Sequence, residues 1–279
     1  MIALGISAAL LAAVTGAASH ALLKAGRDKL IIRGLIALTC SLAVAPVVPF
    51  TPRPSTELWA WLIVAGLLHT IYQFVLVAAY DAADFSVVYP LARGLVPVST
   101  AVVGILLLGD YLTTGAAIGI VAVTAGLLLI AIRSGVSQAG LGWAALAGLL
   151  TTAYTAVDGH AVRLAPAAAT FIVWFFIMDG LMMVPLVSWQ RRGRIMHLAR
   201  AEGRQGVLAG LFALFGYGAA LVALRLLPVG VASALRETSV VFGVLIARFL
   251  LGEVVDRRRL GGVTLIAVGG IIISIAVTR

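Results

Sequence analysis

Charged residues and cysteine are both scarce in this 279-residue chain. Asp, Glu, Lys and Arg make up only 11% of the residues, whereas soluble domains contain about a quarter. Hydrophobic residues make up 62%, so a soluble globule is excluded. The one cysteine, Cys40, lies inside an apolar stretch, and the chain therefore has no disulfide framework and no cysteine-based redox or metal motif.

Ten hydrophobic stretches are each long enough to cross a bilayer, which takes about 20 predominantly apolar residues. Lipid offers no partners for backbone polar groups, so apolar runs of this length must be helical. The sequence predicts an all-α integral membrane protein with ten transmembrane helices and short connections. The helices are predicted at roughly residues 2–23, 30–50, 57–80, 85–108, 114–132, 141–162, 166–189, 205–226, 229–251 and 260–278.

The net charge of +9 is spread unevenly over the two sides of this predicted bundle. Thirteen Lys and Arg residues, Arg33 among them, fall at odd-numbered loops, and four fall on the opposite side. By the positive-inside rule the odd loops are cytoplasmic, and both termini are extracytoplasmic. We interpret the basic segment 190–204 as a topology determinant that touches anionic lipid, not as a nucleic-acid site.

The second half of the chain repeats landmarks of the first half. The sequence predicts a first repeat over 1–132, a linker over 133–140 and a second repeat over 141–279. Because each repeat has five spans, an odd number, the two must sit inverted in the bilayer. Inverted repeats are typical of secondary transporters with alternating access to a central site. A shift of 143 residues superposes Arg93 on Arg236, Gly109-Asp110 on Gly252-Glu253, Gly119 on Gly262 and Gly126 on Gly269.

Four short motifs carry a resemblance to a known family. They are Leu-Leu-Leu-Gly-Asp at 106–110, Phe-Leu-Leu-Gly-Glu at 249–253, Ala-Leu-Arg-Leu-Leu-Pro at 223–228 and Tyr-Pro-Leu-Ala-Arg-Gly at 89–94. Through them the chain resembles the EamA-type members of the drug/metabolite transporter superfamily over essentially its full length. The resemblance implies ten helices in two inverted repeats and transport of a small organic solute, commonly its export.

Two arginines inside predicted spans are the leading candidates for substrate binding. An ionisable group at membrane depth is costly and normally faces a cavity or a partner. Arg93 and Arg236 lie in repeat-related helices, and a guanidinium offers a planar fork that suits carboxylate or phosphate. We predict that both bind the substrate. The alternative is that they pair internally, Arg236 with Glu237 or Asp158.

Other polar residues in the spans complete the candidate site. His69, Tyr72 and Gln73 form a polar stripe on helix 3, which faces either the cavity or an interhelical hydrogen-bond seam. Tyr89 lies four residues before Arg93. The predicted substrate-binding set is therefore Arg93, Arg236, Tyr89, His69, Tyr72, Gln73 and Tyr154, and the candidates for proton coupling are Glu237, Asp158 and His160.

Helix 4 is predicted to bend. Proline cannot donate a backbone hydrogen bond, so Pro90 and Pro97 each free a carbonyl one turn earlier, and Gly94 lies between them. We predict a hinge formed by Pro90, Gly94 and Pro97. A purely structural kink is the alternative.

The sequence predicts a secondary transporter that moves a small anionic or zwitterionic metabolite, in the direction of export, across the bacterial cytoplasmic membrane. Efflux of cationic drugs or quaternary amines is the alternative, and an intramembrane enzyme, a channel or a scaffold is favoured less. No metal or cofactor is expected. We expect helices 1, 3, 4, 6, 8 and 9 to surround the cavity. Helices 5 and 10 are expected at the periphery, where their glycines suit close packing, as in a homodimer.

Overall fold

The computed structural model describes residues 1–82, 92–131, 138–193, 195–242, 244 and 256–278. Within these ranges the chain forms ten α-helices, one 3-10 helix at Ala45–Phe50 and no strand. Each α-helix falls on one of the predicted spans, in the same order, so the predicted all-α membrane fold is confirmed. The helices are α1 (Ile2–Ala25), α2 (Lys29–Val44), α3 (Thr56–Ala82), α4 (Val96–Leu108), α5 (Thr114–Ala131), α6 (Gln138–Leu164), α7 (Ala168–Gln190), α8 (Ile195–Leu226), α9 (Val229–Arg236) and α10 (Arg257–Thr278).

Length and hydropathy agree with a membrane location. Eight helices of the described chain are long and apolar enough to cross a bilayer, and residues 92–108 form a shorter apolar helical stretch with a turn at Leu95. Many large apolar side chains point outward, among them Leu106, Leu107 and Leu149, which are 66–76% exposed. Such a surface is stable in contact with lipid tails but not with water.

The packing of the helices follows the sequence repeat. Helix α1 packs on α8, and its repeat mate α6 packs on α3. In the same way α2 packs on α8 as α7 packs on α3, and α4 packs on α6 as α9 packs on α1. The pairs α2–α7, α4–α9 and α5–α10 each join a helix to its own repeat mate. Exchanging the two halves therefore preserves these main helix contacts, as a two-fold relation between the repeats requires.

Helices α5 and α10 pack on each other through their glycines. A Cβ atom added to Gly119 would lie 2.8 Å from the carbonyl oxygen of Gly269, and one added to Gly126 would lie 2.6 Å from that of Gly262. Backbones approach this closely only where side chains are absent. The glycine faces are thus used inside one chain. A homodimer through these two helices would use their other faces and stays a prediction.

Helices 4 and 9 are interrupted at repeat-related positions. In the first repeat, residues 92–94 are helical, Leu95 is a turn and α4 follows. In the second, α9 ends at Arg236, and Glu237 and Thr238 form a turn before residues 239–242 become helical again. Gly94 and Pro97 lie at the first interruption, whereas Pro90 lies outside the described residues. That these positions act as a hinge stays a prediction.

Candidate substrate cavity

A cavity of about 130 Å³ lies between the two repeats. Within the described chain it is lined by residues of α1, α2, α3, α6, α7, α8 and α9, by Arg93 just before α4 and by Ser239 just after α9, and not by residues of α5 or α10. Helices α2 and α7 were not expected to line it. Tyr89 lies outside the described residues, but the remaining predicted substrate residues all line this cavity: Arg93, Arg236, His69, Tyr72, Gln73 and Tyr154.

Arg93 forms an ion pair with an acid of the other repeat. Its Nη1 atom donates to Oε1 of Glu237 over 2.9 Å, and both side chains are buried. Sequence adjacency had suggested Arg236 as the partner of Glu237. The turn at Glu237 instead points this carboxylate toward Arg93, so that the pair joins helix 4 to helix 9.

Arg236 faces the cavity in a different setting. Its guanidinium carbon lies 5.6 Å from the ring centroid of Tyr217, a cation–π distance. Among the residues that the structure describes, no carboxylate oxygen lies within ion-pair distance of it. The two repeat-related arginines therefore differ in their partners. Arg93 is neutralised by Glu237, whereas Arg236 lines the cavity without an ion pair to a described carboxylate.

A hydrogen-bonded cluster forms one wall of the cavity. The Nε2 atom of His69 lies 2.9 Å from Oδ2 of Asp158 and 2.9 Å from the hydroxyl of Tyr217, which itself donates to the same Asp158 oxygen. Asp158 is fully buried at 0% exposure. His69 also lies against Tyr154, with ring centroids 4.1 Å apart. The sequence left open whether the polar stripe on helix 3 faces the cavity or forms hydrogen bonds between helices. His69 does both, because it lines the cavity and contacts side chains of α6 and α8.

His160 lies apart from this cluster. Its ring packs edge-on against Trp61, with centroids 4.8 Å apart, and it is not among the cavity-lining residues. On α6, Asp158 and His160 point in different directions, as their spacing of two residues on a helix requires. Of the three candidates for proton coupling, Asp158 and Glu237 each contact a cavity-lining side chain, and His160 does not.

The sequence analysis missed a buried ion pair at the cavity. Arg33 on α2 donates from Nη2 to Oδ1 of Asp179 on α7 over 2.6 Å. Arg33 had been counted among the loop charges, yet it is 8% exposed. Two features of the sequence could have indicated the pair. Arg33 lies within the predicted span 30–50, and Asp179 is a carboxylate within the span 166–189 without a charged neighbour in sequence. His20, Phe175, Phe176 and Tyr217 also line the cavity and were not among the predicted site residues.

A second network joins the repeats at the far end of helices 4 and 6. Arg163 donates from Nη1 to Oδ1 of Asp110 over 2.7 Å and from Nη2 to the carbonyl of Leu227 over 2.8 Å. The backbone N–H of Val229 donates to Oδ2 of Asp110 over 2.6 Å. Gly109 ends α4 with a φ of 67°, which favours glycine. Gly109-Asp110 thus has a physical role, because the glycine ends the helix and the acid links the repeats, whereas the second copy of the motif, Gly252-Glu253, lies outside the described residues.

Two buried ion pairs lie at the cavity. Arg33 with Asp179 and Arg93 with Glu237 form neutral pairs. Arg236 and Asp158 are a further cation and a further acid at the cavity, and they form no ion pair with each other. No group of three or more His, Cys, Asp or Glu that could hold a metal occurs in that part of the chain.

A helical membrane bundle of two inverted repeats around a polar cavity is the architecture of secondary transporters. The comparisons with known proteins agree with this class. The model of the EamA-like transporter family matches residues 1–132 and 138–275, and the chain belongs to this family. It is therefore a membrane transporter of the drug/metabolite superfamily type.

Solved structures support the fold alone. One crystal structure, which is described simply as that of a protein, superimposes on this chain with a TM-score of 0.69. The two sequences are 16% identical. The match covers 99% of this chain and 98% of the other. No curated protein matches the sequence. The substrate must therefore be inferred from the cavity.

Proposed function

We propose that the protein carries a small organic anion or zwitterion across the membrane by alternating access, with Arg236 as the anchor for the negative group. Export is the direction that the sequence resemblance favours. The observation that carries the proposal is the guanidinium of Arg236, which lines the cavity and has no carboxylate partner among the described residues. A guanidinium that lines a cavity without an ion-pair partner can form charged hydrogen bonds with a bound anion.

The rest of the cavity suits the body of such a solute. The aromatic rings of Tyr72, Tyr154, Phe175 and Phe176 line it beside the polar Gln73. Ligand sites are commonly apolar with a few oriented polar groups, and this lining has that character. Arg93 also lines the cavity and contributes as a weaker contact, because its charge is paired with Glu237.

Efflux of organic cations is the competing function. One observation favours it, since Oδ1 of Asp158 and Oε2 of Glu237 are buried oxygens without a hydrogen-bond partner in the described chain. A cation with an aromatic or quaternary group would also find aromatic rings nearby. Against it, Arg236 lines the cavity without an ion pair to any described carboxylate, so its positive charge opposes the binding of a cation there.

Matched ligands separate the two functions. We suggest measuring the melting temperature and binding of the purified protein with butyrate, benzoate, 4-aminobutyrate, butylammonium and tetramethylammonium. The anions or the zwitterion are expected to stabilise the wild type, and Arg236→Gln is expected to lose that effect with little change in its own melting. Arg192→Gln, at an exposed position, is the control. Stabilisation by the cations alone, or equal anion binding by Arg236→Gln, contradicts the proposal.

The proposal includes the bacterial cytoplasmic membrane as location, with both termini extracytoplasmic. Basic residues at the odd loops support this orientation even after Arg33 is left out as a buried residue of α2. Arg191, Arg192, Arg200 and Arg204 lie together at the α7–α8 connection and the start of α8, where they can contact anionic headgroups.

A further inference from the structure

The cluster of His69, Asp158 and Tyr217 joins three helices and both repeats. His69 is on α3 of the first repeat, and Asp158 and Tyr217 are on α6 and α8 of the second. His69 and Tyr217 line the cavity, and Asp158 lies behind them with no exposed surface. All three mutual contacts are within hydrogen-bond distance. A shared hydrogen-bond network of this kind holds protons as a unit.

The Asp158 carboxylate is only half satisfied. Its Oδ2 atom accepts from Tyr217 and contacts His69. Its Oδ1 atom is buried and has no hydrogen-bond partner in the part of the chain that the structure describes. A buried carboxylate with a bare oxygen is costly, and a proton on that oxygen removes much of the cost. The cluster therefore has a place for one more proton.

Tyr217 connects the cluster to the anion anchor. Its hydroxyl belongs to the cluster, and its ring lies 5.6 Å from the guanidinium carbon of Arg236. With the Arg33–Asp179 and Arg93–Glu237 pairs neutral, Arg236 and Asp158 are the two opposite charges left in this region of the described chain. When the cluster takes up a proton, the charge of Arg236 loses its counter-charge, and a monovalent anion restores the balance.

We propose that the His69–Asp158–Tyr217 cluster binds one proton together with each monovalent organic anion that binds at Arg236. The inference rests on the proposed function. The proton comes from water and goes to Oδ1 of Asp158 or to the ring of His69, and no bond of the substrate is made or broken. Binding of either partner strengthens binding of the other, as linkage requires. A zwitterion, which adds no net charge, takes up no proton.

Other ionisable groups face this region from the surrounding helices. Arg33 pairs with Asp179 and Arg93 pairs with Glu237, and the phenols of Tyr72 and Tyr154 also line the cavity. His20 on α1 lines the same cavity, so its contribution must be separated from that of the cluster. The groups to be considered are His20, Arg33, Tyr72, Arg93, Tyr154, Asp179, Arg236 and Glu237.

Proton uptake on anion binding tests the inference directly in the wild-type protein. Benzoate is added to purified protein in weakly buffered solution with a pH indicator, and 4-aminobutyrate is added in a parallel sample. We expect one proton to be taken up per benzoate bound and none per 4-aminobutyrate. Over the pH range in which one proton is taken up per benzoate, the affinity for benzoate is expected to fall about tenfold per pH unit as the pH rises. The reason is that one proton is linked to one anion.

Two variants and two controls assign the proton to the cluster. Asp158→Asn keeps the shape of the side chain, and it is expected to bind benzoate without proton uptake and with an affinity independent of pH. Tyr217→Phe keeps the ring beside Arg236 and removes the hydroxyl from the cluster. It is expected to take up fewer protons per benzoate bound than the wild type. The controls are His160→Gln and His20→Gln, and both are expected to retain the wild-type pH dependence. His160 lies on α6 like Asp158, but it packs against Trp61.

The outcomes separate the two proposals. If benzoate binds through Arg236 without proton uptake, or if Asp158→Asn keeps the wild-type uptake, the coupling inference is wrong and the proposed function stands. If His20→Gln abolishes the uptake, the proton site is on α1 and the inference is also wrong. If neither benzoate nor butyrate binds the wild type, or if Arg236→Gln binds them equally, the proposed function itself fails.

Discussion

Arg93 and Glu237 form a buried ion pair of 2.9 Å that connects the two inverted repeats near the interruption of helix 9. Arg236, the neighbour of Glu237 in sequence and the repeat mate of Arg93, lies instead against Tyr217. The two arginines thus have the same place in the repeat and different environments. The pseudo-symmetry is broken at this pair, since the position equivalent to Glu237 in the first repeat is Gly94.

The first prediction concerns this pair. Arg93→Gln leaves Glu237 as a buried charge without its counter-ion, and this is expected to cost roughly 3–5 kcal/mol of stability for a fully buried pair. Arg236→Gln is expected to change the melting temperature little, because Arg236 forms no ion pair with a described carboxylate. Melting curves of both variants in the same detergent make the comparison.

The double variant Arg93→Gln/Glu237→Gln provides the control. Removing both charges at once is expected to recover most of the lost melting temperature. If Arg93→Gln melts like the wild type and loses anion binding instead, Arg93 is the main substrate anchor and the ion pair has little weight.

The second prediction concerns the link between Asp110 and Arg163. Asp110→Asn keeps an acceptor for the N–H of Val229 but removes the charge that holds Arg163, and the loss of this charged hydrogen bond is expected to cost about 1–3 kcal/mol. Weakening the link should also let the repeats separate at this end. A cysteine placed at the cavity-lining Ala213 is then expected to react faster with a water-soluble thiol reagent.

Arg225→Gln is the matched control for this experiment. Arg225 donates to the carbonyls of Val162 and Ala165, which belong to its own repeat, so its loss destabilises the same end without breaking a link between repeats. Equal acceleration of labelling in Arg225→Gln and Asp110→Asn would show that the effect comes from general loosening and not from the Asp110–Arg163 link.

The third prediction concerns the contact between α5 and α10. Gly126→Ala forces a methyl group against the carbonyl of Gly262, where the backbone cannot yield cheaply, and it is expected to cost about 1–3 kcal/mol. Gly142→Ala on α6 is the control, because nothing lies within 4 Å of its added Cβ. That control should be neutral or stabilised by up to about 1 kcal/mol, since alanine favours helix. Similar melting temperatures for the two variants contradict the packing.

The sequence predicted the helices well for a physical reason. Membrane insertion requires long apolar runs, and such runs are visible without any knowledge of contacts. The repeat landmarks, chiefly Arg93 with Arg236, then indicated inverted halves and a polar cavity between them. Most of the candidate cavity residues followed, because polar side chains in a span avoid lipid.

The pairing of charges could not be predicted in the same way. Which acid neutralises which arginine depends on the rotation of each helix and on local breaks, such as the turn that directs Glu237 toward Arg93. Arg33 was assigned to a loop because the sequence does not distinguish a charge just inside the end of a span from a charge in the adjoining loop. Its partner Asp179 lies 146 positions away in the chain, and no local pattern connects the two.

The fourth prediction concerns pH and the Asp28–Arg191 pair, which joins the α1–α2 loop to the end of α7 with an Nε–Oδ2 distance of 2.8 Å. Burial raises the pKa of Asp28, but the hydrogen bonds from Arg191 and from the N–H groups of Ile31 and Leu30 outweigh it, so the pKa lies below its ordinary value. The pair therefore stabilises the fold at neutral pH. This contribution is lost as the pH falls through the lowered pKa.

Asp28→Asn tests this contribution because asparagine caps a helix as well as aspartate does and carries no charge. At pH 7 the variant is expected to be less stable than the wild type by up to about 1 kcal/mol, as for a partly exposed pair. The difference should shrink as the pH is lowered toward 3. A constant difference in melting temperature across that range would assign the effect to the cap and not to the charge.

The last prediction concerns the orientation in the membrane. Cys40 is 1% exposed, so the wild-type protein should give little background with thiol reagents. Arg53→Cys and Arg192→Cys exchange the same residue type at exposed positions, one in the α2–α3 connection and one in the α7–α8 connection. Since the basic loops are expected in the cytoplasm, an impermeant maleimide should label Arg53→Cys in intact cells and Arg192→Cys only after lysis. The reverse pattern would place both termini in the cytoplasm and show that the charge bias does not set the topology of this protein.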